Sequence, residues 1–276
     1  MYDRPLDFGL VRWLAQVARG LDFTVANVPT ESYTRPQGFS IPRFAKLYGA
    51  LRALGFEVAF WCDKWAYVNA NAATANALFE SIWNEFGDDI IYNLGQEADA
   101  VLVHDGMALN RIRATYDLLR NRGATRIWCG GKSVTGIRLI DGAVPGLDLV
   151  TLTCYESVNK AFEQNGSSWE GAFPQVLKEV IGADLTACVT DPANVSKVCL
   201  VELGWPTKAP FDEAKQAMVV QAGLEAVNER GGAGAGAWVL TDYWDGAPDG
   251  WEDTFGLLRF PGEPKPAYQV WRSFSG

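Results

Sequence analysis

The sequence has a single histidine, His104, among its 276 residues. A catalytic zinc site built on several histidine ligands is therefore excluded, and a serine- or cysteine-based triad would have to use His104 as its base. No serine or cysteine lies in a recognisable nucleophile-elbow sequence. We therefore expect neither a metal site nor a cofactor.

Clustered basic residues and long apolar runs are also lacking. Lys and Arg number 24 against 33 Asp and Glu, which gives a net charge of -9. Nucleic acids and anionic membranes attract clustered Lys and Arg, so neither is expected as a partner. The sequence contains no run of about 18 apolar residues, so no transmembrane helix is predicted. The start MYDRP does not resemble a signal peptide. The expected location is the cytoplasm, or outside the cell if a signal peptide was removed.

The five cysteines are an odd number, which argues against a disulfide framework. Four of them lie in strand-like apolar runs, where a free thiol behaves as a small hydrophobe. These four are Cys62, Cys129, Cys154 and Cys199. The 11 Trp and nine Tyr residues have two interpretations, which are core filling and stacking on the apolar faces of sugar rings.

Apolar runs of strand type alternate with amphipathic stretches along the whole chain. The predicted strands are residues 5–11, 21–28, 56–62, 89–97, 125–129, 147–154, 198–201 and 237–241. Strands separated by helices predict a parallel sheet, and eight of them without a dinucleotide motif favour a closed barrel. The predicted fold is α/β, a single (β/α)8 TIM barrel over residues 1–276. The glycine-rich residues 231–236 are predicted to form a turn before the last strand.

Two of these predicted strands lead to a carboxylate. Residues 198–207, VCLVELGWPT, place Glu202 at the end of an apolar run, and residues 89–97, DIIYNLGQE, place Glu97 after another. A carboxylate at the end of an apolar strand is costly to desolvate, so it usually serves an ion pair or chemistry. The carboxyl ends of barrel strands line the active-site face. We therefore expect Glu97 and Glu202 to face one cleft.

The pair resembles the catalytic acids of clan A retaining glycoside hydrolases, in which an Asn-Glu acid/base follows strand four and a nucleophilic Glu follows strand seven. The run ELGWPT at residues 202–207 is similar to the Glu-x-Gly-Trp-Pro-Ser signature of family 17, the endo-β-1,3-glucanases. The FGLL run at residues 255–258 also resembles the clan A ending. The chain departs from the pattern at Gln96, which replaces Asn. It departs again at Val201 and Leu203, where small or hydroxylated residues are more common.

The resemblance implies a monomeric retaining glycoside hydrolase that cleaves β-glycosidic bonds, with a β-glucan as its oligo- or polysaccharide substrate. Glu202 would be the nucleophile and Glu97 the acid/base, about 5 Å apart. By the same resemblance, Gln96 would hydrogen-bond the sugar 2-hydroxyl, Tyr155 would hold Glu202 ionised and oriented, and Trp244 would form the floor under the sugar.

Three further residues at predicted strand ends are expected to line the substrate, and they are Trp205, Asp63 and Trp65. Several of these residues can instead have a purely structural role. Tyr155 can be a rim residue with its hydroxyl in water, and Trp205 can pack its loop against Pro206. Asp63 and Trp65 can form only the wall of the cleft, and His104 can be a loop residue.

Two other functional classes stay open. One is a barrel that binds carbohydrate without turnover, which the longer amide of Gln96 keeps possible. The other is a barrel isomerase or aldolase, which needs a metal-ligand set or a lysine at a strand end. Lys64 and Lys132 are the candidates for that lysine. Release of reducing ends from β-glucans would separate the hydrolase from the binding module.

Overall fold

The structure, a computed structural model, describes residues 8–30, 40–68, 71–208, 210–242, 254–259 and 262–275. These residues form an α/β fold in which the strands of a parallel sheet alternate with helices. The strands are β1 Val25–Thr30, β2 Glu57–Cys62, β3 Ile91–Asn93, β4 Ile127–Gly131, β5 Leu149–Thr153, β6 Val198–Leu203 and β7 Gly234–Ala237. Their order in the sheet is their order in the chain.

The α-helices alternate with the strands along most of the chain, with two helices between β5 and β6. They are α1 Phe8–Arg19, α2 Ile41–Ala53, α3 Asn71–Phe86, α4 Ala108–Arg122, α5 Val134–Ala143, α6 Tyr155–Gln164, α7 Phe173–Ala187, α8 Glu213–Arg230 and α9 Pro266–Phe274. A short antiparallel pair, β8 Leu258–Arg259 and β9 Glu263–Pro264, precedes α9. Among the described residues, no helix combines the length and apolar character needed to span a bilayer.

The chain divides into two compact units, and the division falls inside β5. The first unit comprises Met1–Arg19 and Phe23–Thr151, and the second comprises Gly20–Asp22 and Leu152–Gly276. The expectation of one domain over the whole chain stays a prediction.

In the first unit, β1 to β4 pair in parallel, with Asn27 opposite Ala59 and Ala59 opposite Ile91. Buried residues run almost continuously through β2, as expected for a parallel strand covered on both faces. Phe60 of β2 meets the rings of Phe44 and Phe79 edge-on, with ring centroids 5.6 and 5.4 Å apart. These aromatic contacts attach α2 and α3 to the sheet.

In the second unit, β6 pairs with β7, and the register shifts between Leu200 and Leu203. Such a shift marks a β-bulge, which redirects the side chains near it. Helix α8 lies close over β6 because it presents Gly223 there. A Cβ at Gly223 would lie 2.5 Å from Leu203 Cδ1.

Two predicted elements differ in the structure. Of the predicted first strand, residues 5–7 lie outside the described residues, and residues 8–11 belong to helix α1. The half-buried or buried positions Val11, Leu14, Ala15 and Ala18 recur every three or four residues, which is helical spacing. The strand prediction there was wrong because a short apolar run does not by itself distinguish a strand from a helix.

The second difference lies in the glycine-rich residues 231–236, which were predicted as a turn. Gly231 does close helix α8, but Gly234–Ala237 is strand β7. Of the predicted strand at residues 237–241, only Ala237 belongs to β7, while Thr241 forms an isolated parallel bridge with Leu258. Glycine has a low strand propensity, so this strand has no side-chain pattern to reveal it.

Candidate active site

The two predicted catalytic acids lie in different compact units, so their surroundings are described separately. In the first unit, Glu97 follows β3 through a short segment that is fixed to its neighbours by hydrogen bonds. Asn93 Oδ1 accepts from the Gly95 amide at 3.2 Å, and the Gly95 carbonyl accepts from the Gly130 amide at 2.8 Å. Glu97 itself has φ 50° and ψ 37°, the left-handed conformation. A non-glycine residue adopts this conformation at a cost that the surrounding structure must offset.

The carboxylate of Glu97 forms an ion pair with Lys64. Lys64 Nζ lies 2.6 Å from Glu97 Oε2, and the two side chains are 24% and 22% exposed. Lys64 begins a short 3-10 helix, Lys64–Tyr67, directly after β2. Asp63 caps this helix by accepting from the Trp65 amide at 2.9 Å. The charge-assisted hydrogen bond from Lys64 fixes the direction of the Glu97 carboxylate.

Next to Glu97, the Gln96 side chain is buried, with 4% of its surface exposed. Its Oε1 accepts a hydrogen bond from Thr151 Oγ1 at 2.9 Å. Its Nε2 has no hydrogen-bond partner within the described residues. A buried donor without a partner costs about 1–3 kcal/mol, so this amide group is suited to a ligand.

Asp63 and Trp65 lie beside Lys64 on the same 3-10 helix. The carboxylate of Asp63 is used as a helix cap, which supports its role as part of the wall. Trp65 is 38% exposed, and its ring centroid lies 5.2 Å from that of His104. The structure therefore brings Asp63, Trp65 and His104 close to the Lys64–Glu97 pair, and it leaves part of the Trp65 ring exposed.

In the second unit, Glu202 lies within β6 at the bulge. It has φ 54°, so it shares the left-handed conformation of Glu97. The thiol of Cys154 lies 4.0 Å from the Glu202 carbonyl oxygen. Burial raises the pKa of Cys154 to about 12, so this thiol is neutral at ordinary pH.

Aromatic rings surround Trp205, which lies three residues after Glu202. The Tyr155 ring centroid lies 5.8 Å from that of Phe255 and 6.3 Å from that of Trp205. Trp205 is 6% exposed and also meets the rings of Trp169 and Phe211 at 5.8 and 5.7 Å. Trp205 thus packs against neighbouring aromatic rings, and its contact with substrate stays a prediction. The predicted contact of Tyr155 with Glu202 stays a prediction, and Trp244 lies outside the described residues.

A buried lysine in the second unit was not found from the sequence. Lys265 is 1% exposed, and its Nζ donates to Asp242 Oδ1, Thr207 Oγ1 and the Thr254 carbonyl at 2.7, 3.2 and 3.0 Å. Burial lowers the pKa of Lys265 and raises the pKa of Asp242. These bonds attach the loop after Glu202 to the residues before β8. No sequence signal distinguishes Lys265 from a surface lysine.

The residues that the structure describes contain no group of three or more His, Cys, Asp or Glu side chains able to hold a metal ion. The five cysteines are all free thiols.

No family model matches the sequence, and no curated protein matches it. Solved structures do match. A GH5_18 protein from Streptomyces cattleya in complex with GlcNAc superposes with a TM-score of 0.74 at 15% identity, over 98% of this chain and 74% of that one. A variant of GH5_18 from the same organism, in complex with Manb1-4GlcNAc, has a TM-score of 0.73 at 16% identity, over 97% and 75% of the two chains.

An exo-beta-1,4-mannosidase from Opitutaceae bacterium strain TAV5 is also similar, with a TM-score of 0.64 at 16% identity. That match covers 96% of this chain and 55% of the mannosidase. At such identities the likeness establishes the fold alone. The chain has the TIM-barrel fold of these glycoside hydrolases, and the resemblance to family 17 stays a prediction.

Proposed function

We propose that the protein is a retaining glycoside hydrolase in which Glu202 is the nucleophile and Glu97 is the acid/base. The observation that carries the proposal is shared by these two acids. Each belongs to or closely follows a strand of the parallel sheet, and each has the left-handed backbone conformation. Among the described non-glycine residues, only Asp22 and Ser167 also have a positive φ. Backbone strain of this kind is concentrated at functional sites.

The proposed reaction is a double displacement. Glu202 attacks the anomeric carbon while Glu97 donates a proton to the departing oxygen, and water then hydrolyses the glycosyl-enzyme with Glu97 as the base. The mechanism requires the two carboxylates to be about 5 Å apart during catalysis.

The remaining residues receive supporting roles. Gln96 would donate from Nε2 to the sugar 2-hydroxyl, and Tyr155 would orient Glu202. Trp244 would form the floor under the reacting sugar. Trp65 and Asp63 would form the wall beside Glu97, and Trp205 would support the loop from behind.

The substrate is proposed to be a neutral β-linked oligo- or polysaccharide, bound by a monomeric protein. The resemblance of residues 202–207 to family 17 favours a β-1,3-glucan. The second candidate is a β-mannoside, because similar structures include an exo-beta-1,4-mannosidase and a GH5_18 variant in complex with Manb1-4GlcNAc. The net charge of -9 suits neutral sugars better than anionic ones.

A substrate panel tests the proposal. It contains a β-1,3-glucan, a β-1,4-mannooligosaccharide, and dinitrophenyl β-glucoside and β-mannoside, with release of reducing ends or of dinitrophenol as the readout. Cleavage of the β-1,3-glucan favours the first candidate, and cleavage of the mannooligosaccharide favours the second. Binding without any release would identify the carbohydrate-binding module instead.

Azide separates the roles of the two acids. Glu202→Ala leaves room for azide to attack the anomeric carbon directly, so the product should be a glycosyl azide of inverted configuration. Glu97→Ala should still form the glycosyl-enzyme from a dinitrophenyl glycoside, and azide should intercept it with net retention. Without azide, each change should lower turnover of polysaccharide at least about a thousandfold.

The matched control is Glu156→Ala, because Glu156 also follows a strand but is exposed in the first turn of α6. It should leave turnover close to the wild-type rate. Wild-type turnover by Glu202→Ala would overturn the nucleophile assignment. The opposite pattern of azide products would exchange the roles of Glu97 and Glu202.

A further inference from the structure

In the Gln96 side-chain amide, the oxygen has a hydrogen-bond partner among the described residues and the nitrogen has none. Its Oε1 accepts from Thr151 Oγ1, whereas its Nε2 is buried without a partner among the described residues. Thr151 is itself buried, on β5, with 1% of its surface exposed. The pair is therefore a fully buried hydrogen bond that ends in two unused N–H groups.

The hydroxyl of Thr151 determines which end of the amide is left unused. A buried hydroxyl proton needs an acceptor, and the Gln96 oxygen is its hydrogen-bond partner within the described residues. If the amide were turned by 180°, its NH2 group would face Thr151 Oγ1 and the hydroxyl proton would lose its acceptor. The orientation with Oε1 toward Thr151 is therefore favoured by about the cost of one unsatisfied buried group.

The position of the Thr151 hydroxyl depends on a glycine in the neighbouring strand. A Cβ at Gly130 would lie 1.9 Å from Thr151 Oγ1 and 2.7 Å from the Thr151 carbonyl oxygen. Any larger residue at position 130 would displace Thr151. The last residues of β4 thus provide the space in which the hydroxyl reaches Gln96.

We infer that Thr151 is a positioning residue that holds the Gln96 amide with its NH2 group directed to the ligand. The ligand atom at this position must then be a hydrogen-bond acceptor, such as a hydroxyl oxygen of a sugar. This second step rests on the proposed function, whereas the orientation of the amide by Thr151 does not.

Side-chain NMR tests the orientation independently of any activity. The NH2 resonances of Gln96 are assigned in a ¹⁵N-labelled protein by their absence in Gln96→Leu. Thr151→Val, which keeps the shape of the side chain but removes the donor, should shift these resonances, and Thr151→Ser should restore them. Gly130→Ala should also shift them, which provides a second route if Thr151→Val folds poorly.

Thr115→Val is the matched control. Thr115 is also 1% exposed, and its hydroxyl also donates to an amide oxygen, Asn76 Oδ1, at 2.6 Å. This change should leave the Gln96 resonances where they are in the wild type. Unchanged Gln96 resonances in Thr151→Val and in Gly130→Ala would overturn the inference.

Kinetics test the consequence for the ligand. On the dinitrophenyl glycoside that the wild type cleaves, Thr151→Val should lower kcat/KM by about tenfold or more, because the donor to the sugar is misdirected. On the 2-deoxy analogue, the loss should be within about threefold. Thr115→Val should have little effect on either substrate.

The two proposals fail in different ways. If Thr151→Val shifts the Gln96 resonances but the wild type cleaves no glycoside, the proposed function is wrong and the positioning by Thr151 stands. If the wild type is active and Thr151→Val loses the same factor on both substrates, the Gln96 amide does not act on the 2-hydroxyl, and the inference about the ligand atom is wrong.

Discussion

Glu97 and Glu202 share one backbone conformation, but different contacts hold the segments that carry them. Both have φ near 50°, 50° for Glu97 and 54° for Glu202. The Glu97 carboxylate is bound by the ammonium of Lys64, and its neighbour Gln96 is bound by Thr151. In the segment that carries Glu202, the Cys154 thiol lies near the Glu202 carbonyl oxygen, and Trp205, three residues further on, packs among aromatic rings.

The comparison shows two ways of holding a strained residue in place. Near Glu97, charge and hydrogen bonds set the direction of polar side chains. Near Glu202, a β-bulge and tight ring packing set the path of the backbone. Packing in a buried cluster contributes several kcal/mol, whereas a partly exposed ion pair contributes about 0–1 kcal/mol. The two regions should therefore respond differently to substitution.

The largest difference is expected at the tryptophans. Trp205→Ala removes a buried ring from the cluster near Glu202 and should lower the free energy of unfolding by about 3–5 kcal/mol. Trp65→Ala, in the partly exposed position near Lys64, should lower it by less than about 1 kcal/mol. Urea unfolding measures both. Equal losses at the two positions would show that packing does not distinguish the two regions.

Alkaline pH should weaken the fold through buried thiols. Burial raises the pKa of Cys129, Cys154 and Cys199 from 9.0 to about 12. Each thiol has a higher pKa in the folded protein than in the unfolded chain. The stability that the neutral buried thiols contribute is therefore fully present below pH 9 and is lost as the pH rises toward 12. At pH 10 the loss should be on the order of 1 kcal/mol per thiol.

The control for this prediction is the variant with all three thiols replaced by Ala, whose stability should fall less steeply with pH. Cys129 lies in the first unit, while Cys154 and Cys199 lie in the second. The single variants therefore show which unit is more sensitive. If the free energy of unfolding of the triple variant falls between pH 8 and 11 as steeply as that of the wild type, the thiols do not cause the loss of stability.

The shared backbone conformation is tested by comparing Gly with Ala at both acids. Glu97→Gly and Glu202→Gly should each be more stable than the corresponding Ala variant by about 1 kcal/mol, because glycine adopts the left-handed conformation without strain. At the helical position Glu156 the order should reverse, with Ala more stable by about 0.5–1 kcal/mol. Thermal unfolding of the six variants measures the difference. A more stable Ala variant at position 97 or 202 would disprove strain there.

The smallest effect on stability is expected at Lys64. Lys64→Met should change the free energy of unfolding by less than about 1 kcal/mol, because the ion pair with Glu97 is partly exposed. Turnover should fall roughly tenfold, because the Glu97 carboxylate loses the group that fixes its direction. Lys178→Met, which breaks a surface pair with Glu229, is the control and should keep wild-type turnover. If Lys64→Met greatly lowers the free energy of unfolding and leaves turnover unchanged, the ion pair stabilises the fold and does not orient Glu97 for catalysis.

Structural features that depend on neighbouring residues could be predicted from the sequence. Helix α4 ends at Gly123 and helix α8 at Gly231, with φ of 99° and 69°, because glycine adopts the left-handed cap conformation easily. The apolar runs before Glu97 and Glu202 predicted the strands β3 and β6, because parallel strands are buried on both faces. Local propensity was therefore sufficient to locate both acids at strand ends.

The sequence did not predict which side chains are in contact. Gln96 and Thr151 are 55 residues apart, and Lys64 and Glu97 are 33 apart, so no local pattern pairs them. Lys265 looks like a surface lysine in the sequence, yet it is buried because Asp242, Thr207 and the Thr254 carbonyl surround its ammonium. The glycines of β7 form a strand because β6 offers hydrogen bonds to their backbone. Such contacts depend on how distant segments pack, and that packing is set by the burial of the whole sheet and not by any single segment.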